Sequence, residues 1–95
     1  MFQTNHYFDG QVASIAFQTA DLSATVGVMG IGEFVFSTSQ REYMTLTSGD
    51  MQVLLPGAEE WYQLAPGESF IVEAGQSFEV RTTVESAYLC KYEDA

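Results

Sequence analysis

Apolar and polar residues alternate along this chain in short runs with a period of two. Ala13, Ile15 and Phe17 alternate with smaller or polar neighbours, as do Val26 and Val28, then Phe34 and Phe36. Residues 43–47, 51–55, 60–64, 69–73, 77–84 and 86–92 repeat the pattern. Period-two alternation places side chains on opposite faces of a pleated strand. Turn residues separate the runs: Gly30-Ile31-Gly32, Ser48-Gly49-Asp50, Pro56-Gly57 and Pro66-Gly67. In Pro66-Gly67 the proline sets φ at one turn position and the glycine accepts φ > 0 at the next, a type II preference. No apolar set recurs at helical spacing for three turns. Many short strands without a long helix predict an all-β sandwich or barrel.

With 95 residues the chain makes one domain, spanning 1–95. A core of that size is limited, so a second subunit would add to it, and a homodimer through edge strands or the N-terminal segment is expected. The net charge is −10, from three basic and thirteen acidic side chains. That balance argues against nucleic-acid partners and anionic membranes, which need Lys/Arg patches. Screening confines the repulsion of anions to about 10 Å at ordinary salt, so a local anion site is still open. Cys90 is the single cysteine, which fits a reducing compartment. The first residues show no basic stretch followed by an apolar run, and no segment approaches the roughly 18 apolar residues of a membrane span. The expected location is the cytoplasm.

Two glycine-framed segments carry a further signal. After Gly30 come five residues, Phe36, one residue, Thr38, three residues, Glu42, six residues and Gly49. The second segment runs from Gly67 through Glu73 and Gly75 to Phe78 and Thr82. This spacing resembles the two motifs of the cupins, which implies a single cupin-type barrel, a double-stranded β-helix of jelly-roll form. Metal-binding cupins carry histidines at the positions of Phe36, Thr38 and Phe78, and of the four ligand positions only Glu42 keeps a ligand. A first-row metal needs three or four converging donors, so no metal and no cofactor are expected. The only histidine, His6, precedes the first expected strand and lies outside both segments, which leaves neither an imidazole base nor a Ser-His-Asp triad. Cys90 precedes Lys91, yet adjacent strand residues point to opposite faces, so a packed, inert thiol is expected.

If positions 36, 38 and 78 line the barrel, its interior holds two aromatic faces and a hydroxyl, with a carboxylate nearby. Aromatic faces stack planar groups such as nucleobases, while Thr and Glu hydrogen-bond a sugar. The plainer alternative is that Phe36 and Phe78 fill the barrel. Glu42 is either a solvated strand charge or a partly buried carboxylate needing a partner. Arg41, Arg81 and Lys91 take surface positions by default, with at least one available to a bound phosphate.

A longer series of strings, in order, carries a closer resemblance. It comprises Asn5, Tyr7, Phe8 and Gly10; Val26-Gly27-Val28-Met29; Phe36-Ser37-Thr38; Glu42 with Met44-Thr45; Ser48-Gly49; Val53-Leu54-Leu55-Pro56; and Tyr88-Leu89-Cys90 with Tyr92. Over residues 2–92 the chain resembles the small bacterial pyrimidine/purine nucleoside phosphorylases of cupin fold. The resemblance implies metal-free, broad-range phosphorolysis: phosphate attacks the anomeric carbon of a nucleoside and yields free base and ribose 1-phosphate. Such a reaction passes through an oxocarbenium-like state, and it needs an aligned phosphate and a stabilised leaving base. Lys91, Ser37 and Thr38 are then the candidates to hold phosphate, and Glu42 to face the developing positive charge. Phe36, Phe78, Tyr88 and Tyr92 are candidates to hold the base. Two other readings stand beside this one: a non-catalytic cupin that binds a sugar or nucleoside, and a structural dimer with a filled barrel.

Overall fold

The computed structural model describes residues 2–94. Ten strands form two antiparallel sheets. They are β1 (Thr4–Tyr7), β2 (Val12–Gln18), β3 (Ser23–Met29), β4 (Gly32–Ser37), β5 (Arg41–Ser48), β6 (Met51–Leu54), β7 (Tyr62–Leu64), β8 (Ser69–Val72), β9 (Ser77–Thr82) and β10 (Ser86–Glu93). One sheet has the order β1-β2-β3-β10-β5-β8 and the other β4-β9-β6-β7. The two lie face to face as a cupin-like barrel. The last strand sits in the middle of the larger sheet, paired with β3 on one side and β5 on the other.

Alternation decides what each strand buries. Val12, Met29, Met44, Leu46, Tyr88 and Cys90 point inward from the larger sheet, and Phe34, Met51, Val53, Phe78 and Val80 from the smaller. Each fully buried side chain of this size contributes about 1.5–3 kcal/mol relative to exposure. Both proline–glycine turns close as expected: the Glu68 amide donates to the Ala65 carbonyl (3.0 Å), with Gly67 at φ 92°.

Three expectations need correction. The chain has a strand before Val12: β1 pairs with β2, and His6 lies within it opposite Ala13. Its Thr-Asn-His run has no apolar alternation, and only the hairpin reveals it. The apolar residues that announced β2 and β3 also turn out to face away from the core. Ile15, Phe17, Val26 and Val28 are exposed, while Val12, Ser14 and Met29 are buried. Strand β7 begins at Tyr62, because residues 55–61 form a loop around Pro56-Gly57.

Thr38 is spent on the backbone. Its hydroxyl donates to the Glu73 carbonyl (2.7 Å) and accepts from the Gln76 amide (3.0 Å), and its own amide donates to the Gln76 carbonyl (2.9 Å). The residue is buried and clips the end of β4 to the β8–β9 turn. Replacing Thr38→Val leaves buried partners unsatisfied, at a cost of about 1–3 kcal/mol. Thermal melting should show a fall of about 4–8 °C per kcal/mol, and Thr38→Ser should recover most of it. An unchanged Tm in Thr38→Val would refute the clip.

Candidate functional site

A cavity of about 480 Å³ opens between the sheets, lined by Tyr7, Phe8, Ser14, Val35, Phe36, Ser37, Glu42, Met44, Tyr88 and Tyr92. Its floor comes from β5 and β10. Glu42 and Met44 alternate inward on β5, as do Tyr88 and Tyr92 on β10. One wall is the end of β4, and the other is Ser14 of β2. The roof is the β1–β2 turn. There the Gly10 amide donates to the Tyr7 carbonyl (3.1 Å), and Phe8 and Asp9 both have positive φ, 53° and 55°. A bulky residue in that region costs on the order of 1–3 kcal/mol. The ring of Phe8 offsets part of that cost by packing on Phe34 (centroids 5.1 Å apart) and Phe36 (5.4 Å). Phe36 stacks in turn on Phe78 at 5.5 Å, and Phe78 meets Phe70 edge-on at 5.7 Å. A continuous run of rings thus links the cavity to the core.

Tyr88 owes its position to a glycine. A Cβ at Gly27, which pairs with it across the sheet, would stand 2.5 Å from the Tyr88 hydroxyl and ring. The Tyr92 hydroxyl shares a hydrogen bond with Thr25 (2.8 Å). The Cys90 thiol, between the two tyrosines on the inward face, donates to Glu42 Oε1 (3.4 Å). Burial disfavours the ionised form of each of these groups. It pushes Tyr88 up to about 12, and Tyr92 and Cys90 upward as well, so each stays protonated near neutral pH. Burial also raises Glu42, against a smaller lowering by the Cys90 thiol.

The structure brings Phe36, Ser37, Glu42, Tyr88 and Tyr92 together at this cavity and leaves out three other candidates. Thr38 turns its hydroxyl into the β8–β9 turn. Phe78 is buried behind Phe36 and lies outside the cavity lining. Lys91 points the other way, because strand alternation sends it to the outer face of β10, with Nζ 3.5 Å from Asp21. Sequence reasoning missed Tyr7, Phe8, Ser14, Val35 and Met44 as lining. The Asp9-Gly10 pair, a hairpin signal, could have revealed the roof. Among the described residues no three His, Cys, Asp or Glu side chains gather where a metal could bind, and Glu42 is the only such donor lining this cavity.

The protein-family model described as pyrimidine/purine nucleoside phosphorylase matches residues 2–92. A Cellvibrio japonicus protein bearing that name is 57% identical over 93 residues, covering 98% of this chain and 100% of the relative. One from Saccharophagus degradans, with the same name, is 56% identical over 92 residues, covering 97% and 98%. A crystal structure of a Vibrio parahaemolyticus protein of unknown function superposes with a TM-score of 0.93 at 39% identity, covering 98% of this chain and 99% of that one.

The burial of Glu42 has a thermodynamic consequence. Its pKa in the folded protein lies above the ordinary 4.5, so folding favours the protonated form. Stability therefore falls as pH rises from that ordinary value through the raised one. Glu42→Gln, which cannot ionise, should match the wild type in Tm below that window and exceed it above. A Tm difference that does not change with pH would refute this account.

Proposed function

Because the chain belongs to the pyrimidine/purine nucleoside phosphorylase family, we propose that it splits purine and pyrimidine nucleosides with phosphate, broadly and without a metal. The observation that carries this reading is the cavity itself. A volume of about 480 Å³ suits a nucleoside, and ring faces, hydroxyls and a single carboxylate share its walls. Phe8, Phe36 and the tyrosine rings offer stacking surface to the base. Stacking accepts any base, which favours a wide range. Ser14, Ser37 and the hydroxyls of Tyr7, Tyr88 and Tyr92 can bond the sugar and the phosphate. Glu42 faces the sugar, where an ionised carboxylate stabilises positive charge at the anomeric carbon. Phe78 acts through Phe36 as a positioning residue. The donor set supports a reaction without a metal, since one carboxylate alone does not hold one. A nucleoside and free phosphate meet in the cytoplasm, the compartment this reading calls for.

One observation favours a second reading. Among the described residues no basic side chain lines the cavity, so a neutral nucleoside could be held there with no reaction. A panel of nucleosides, incubated with and without phosphate while free base is followed, separates the two. Phosphate-dependent release is expected. Calorimetric nucleoside binding with no base released would favour the binding module instead. Glu42→Gln and Tyr88→Phe should each lower kcat/KM by on the order of 10²-fold with the fold intact by circular dichroism. Near-normal rates in both would remove this site from the reaction.

The homodimer belongs to the same proposal. The outer face of β2, β3 and β10 presents Ala13, Ile15, Phe17, Val26, Val28, Ala87 and Leu89, and its charges, Lys91 and Glu93, stand only at the far end of β10 and are paired with Asp21 and Arg41. In a chain of net charge −10, this is a surface where two copies can meet without opposing like charges. Light scattering behind size exclusion should give twice the 10.5 kDa chain mass, and Val26→Glu should give the single mass. A dimer undisturbed by Val26→Glu would place the contact elsewhere.

A further inference from the structure

The three Lys and Arg side chains all lie outside the cavity, each engaged elsewhere. Arg41 bridges Glu73 (2.8 Å) and Glu93 (3.0 Å). Arg81 hydrogen-bonds Gln52, rests over the Trp61 ring (4.1 Å) and faces Glu33 (3.9 Å). Lys91 pairs with Asp21. The titratable groups lining the cavity are Tyr7 from β1, Glu42 from β5, and Tyr88 and Tyr92 from β10, with the buried Cys90 thiol behind them donating to Glu42. Asp9 of the roof turn is exposed beside Phe8. Strand β2 supplies Ser14 and β4 supplies Val35, Phe36 and Ser37, none of which titrates in the ordinary range. All of the titrating groups are acids, and none carries positive charge.

A phosphate site built this way discriminates between ionic forms. The cost of taking an ion out of water rises with the square of its charge, and among the described residues no cation lines the cavity to offset it. A dianion is penalised far more than a monoanion. It also offers one P–OH donor where a monoanion offers two. Glu42, when ionised, can accept a second donor beside the Cys90 thiol, and the hydroxyls of Ser14, Tyr88 and Tyr92 can donate to the phosphate oxygens.

We infer that this pocket takes phosphate as dihydrogen phosphate, and that one of the phosphate's own protons goes to the departing base. The inference rests on the phosphorolysis reading above. A P–O oxygen forms the bond to C1′ while the C1′–N bond breaks, and the bonding electron pair leaves with the base nitrogen. One P–OH proton passes to the base. Nucleoside and dihydrogen phosphate become neutral base and the monoanion of ribose 1-phosphate, so atoms and charge balance. The anion thus supplies the proton that a histidine supplies in other sites, and none lines this cavity. The raised tyrosine hydroxyls are poor acids, which leaves Glu42 as the one rival donor.

The test is adenosine phosphorolysis from about pH 5.5 to 9, with inorganic phosphate varied at each pH. Above the second ionisation of phosphate, kcat/KM for total phosphate should fall about tenfold per pH unit, following the monoanion. Thiophosphate, whose second ionisation lies lower, should move the break down in pH. A break that stays put would belong to an enzyme group and would overturn the proposal. The residual activity of Glu42→Gln should keep the phosphate break, and loss of the break in that variant would assign it to Glu42 instead. Sulfate, a dianion throughout, should inhibit weakly; tight competition by sulfate against phosphate would also overturn it. Phosphate-dependent base release with a flat pH profile defeats this inference alone. No phosphate-dependent release at any pH removes the parent reading with it.

Discussion

The pleat of one strand governs this molecule. Strand β10 runs between β3 and β5 at the centre of the larger sheet, so its alternation is locked by hydrogen bonds on both edges. One phase puts Tyr88, Cys90 and Tyr92 into the barrel and Ala87, Leu89 and Lys91 outside. A slip of one residue would drive an ammonium group into the core and bring three polar-tipped, largely apolar side chains out to water. No such slip is tolerable, and the chemistry of the cavity follows from that. The cavity receives the tyrosine hydroxyls, the Cys90 thiol lies buried behind its lining, and Lys91 is excluded from it.

Every other polar group in the cavity is conditioned by that exclusion. Without a cation, burial pushes the tyrosines, the thiol and Glu42 in the same direction, toward their protonated forms. The site is thus a field of neutral donors around one carboxylate of raised pKa. Of the four positions where related barrels hold a metal, position 42 keeps an acid, position 36 supplies a cavity wall, position 78 supports that wall from behind, and position 38 has become a structural clip.

Strand periodicity and turn chemistry made most of the architecture legible in the sequence, because both are local. They located nine of the ten strands and the two proline–glycine turns. Five of the candidate residues, Phe36, Ser37, Glu42, Tyr88 and Tyr92, do meet at one cavity. What escaped was non-local. The bonds of Thr38 are to residues 35 and 38 positions away in sequence, and no pattern around Thr38 records them. Phe8 and Ser14 belong to a hairpin whose exposed residues are as apolar as a core face, which hides the direction of the strand. The case of Lys91 differs. Alternation from Tyr92 already sends it outward, and the sign of phosphate's charge argued for it more strongly than its geometry allowed.

The roof of the cavity is the part of the structure least explained by packing alone. Phe8 adopts a backbone conformation that glycine or asparagine would adopt more easily. Its neighbour Asp9 is also at positive φ, and the turn between them projects a ring onto Phe34 and Phe36 where a smaller residue would leave the cavity open. An Asn-Gly pair would close the same hairpin without strain. Such a turn would supply no ring, and the aromatic run from the cavity through Phe36 and Phe78 to Phe70 would end one ring short of the opening. The strain at Phe8 is therefore local to the turn, while the contact it secures joins the mouth of the site to the centre of the core.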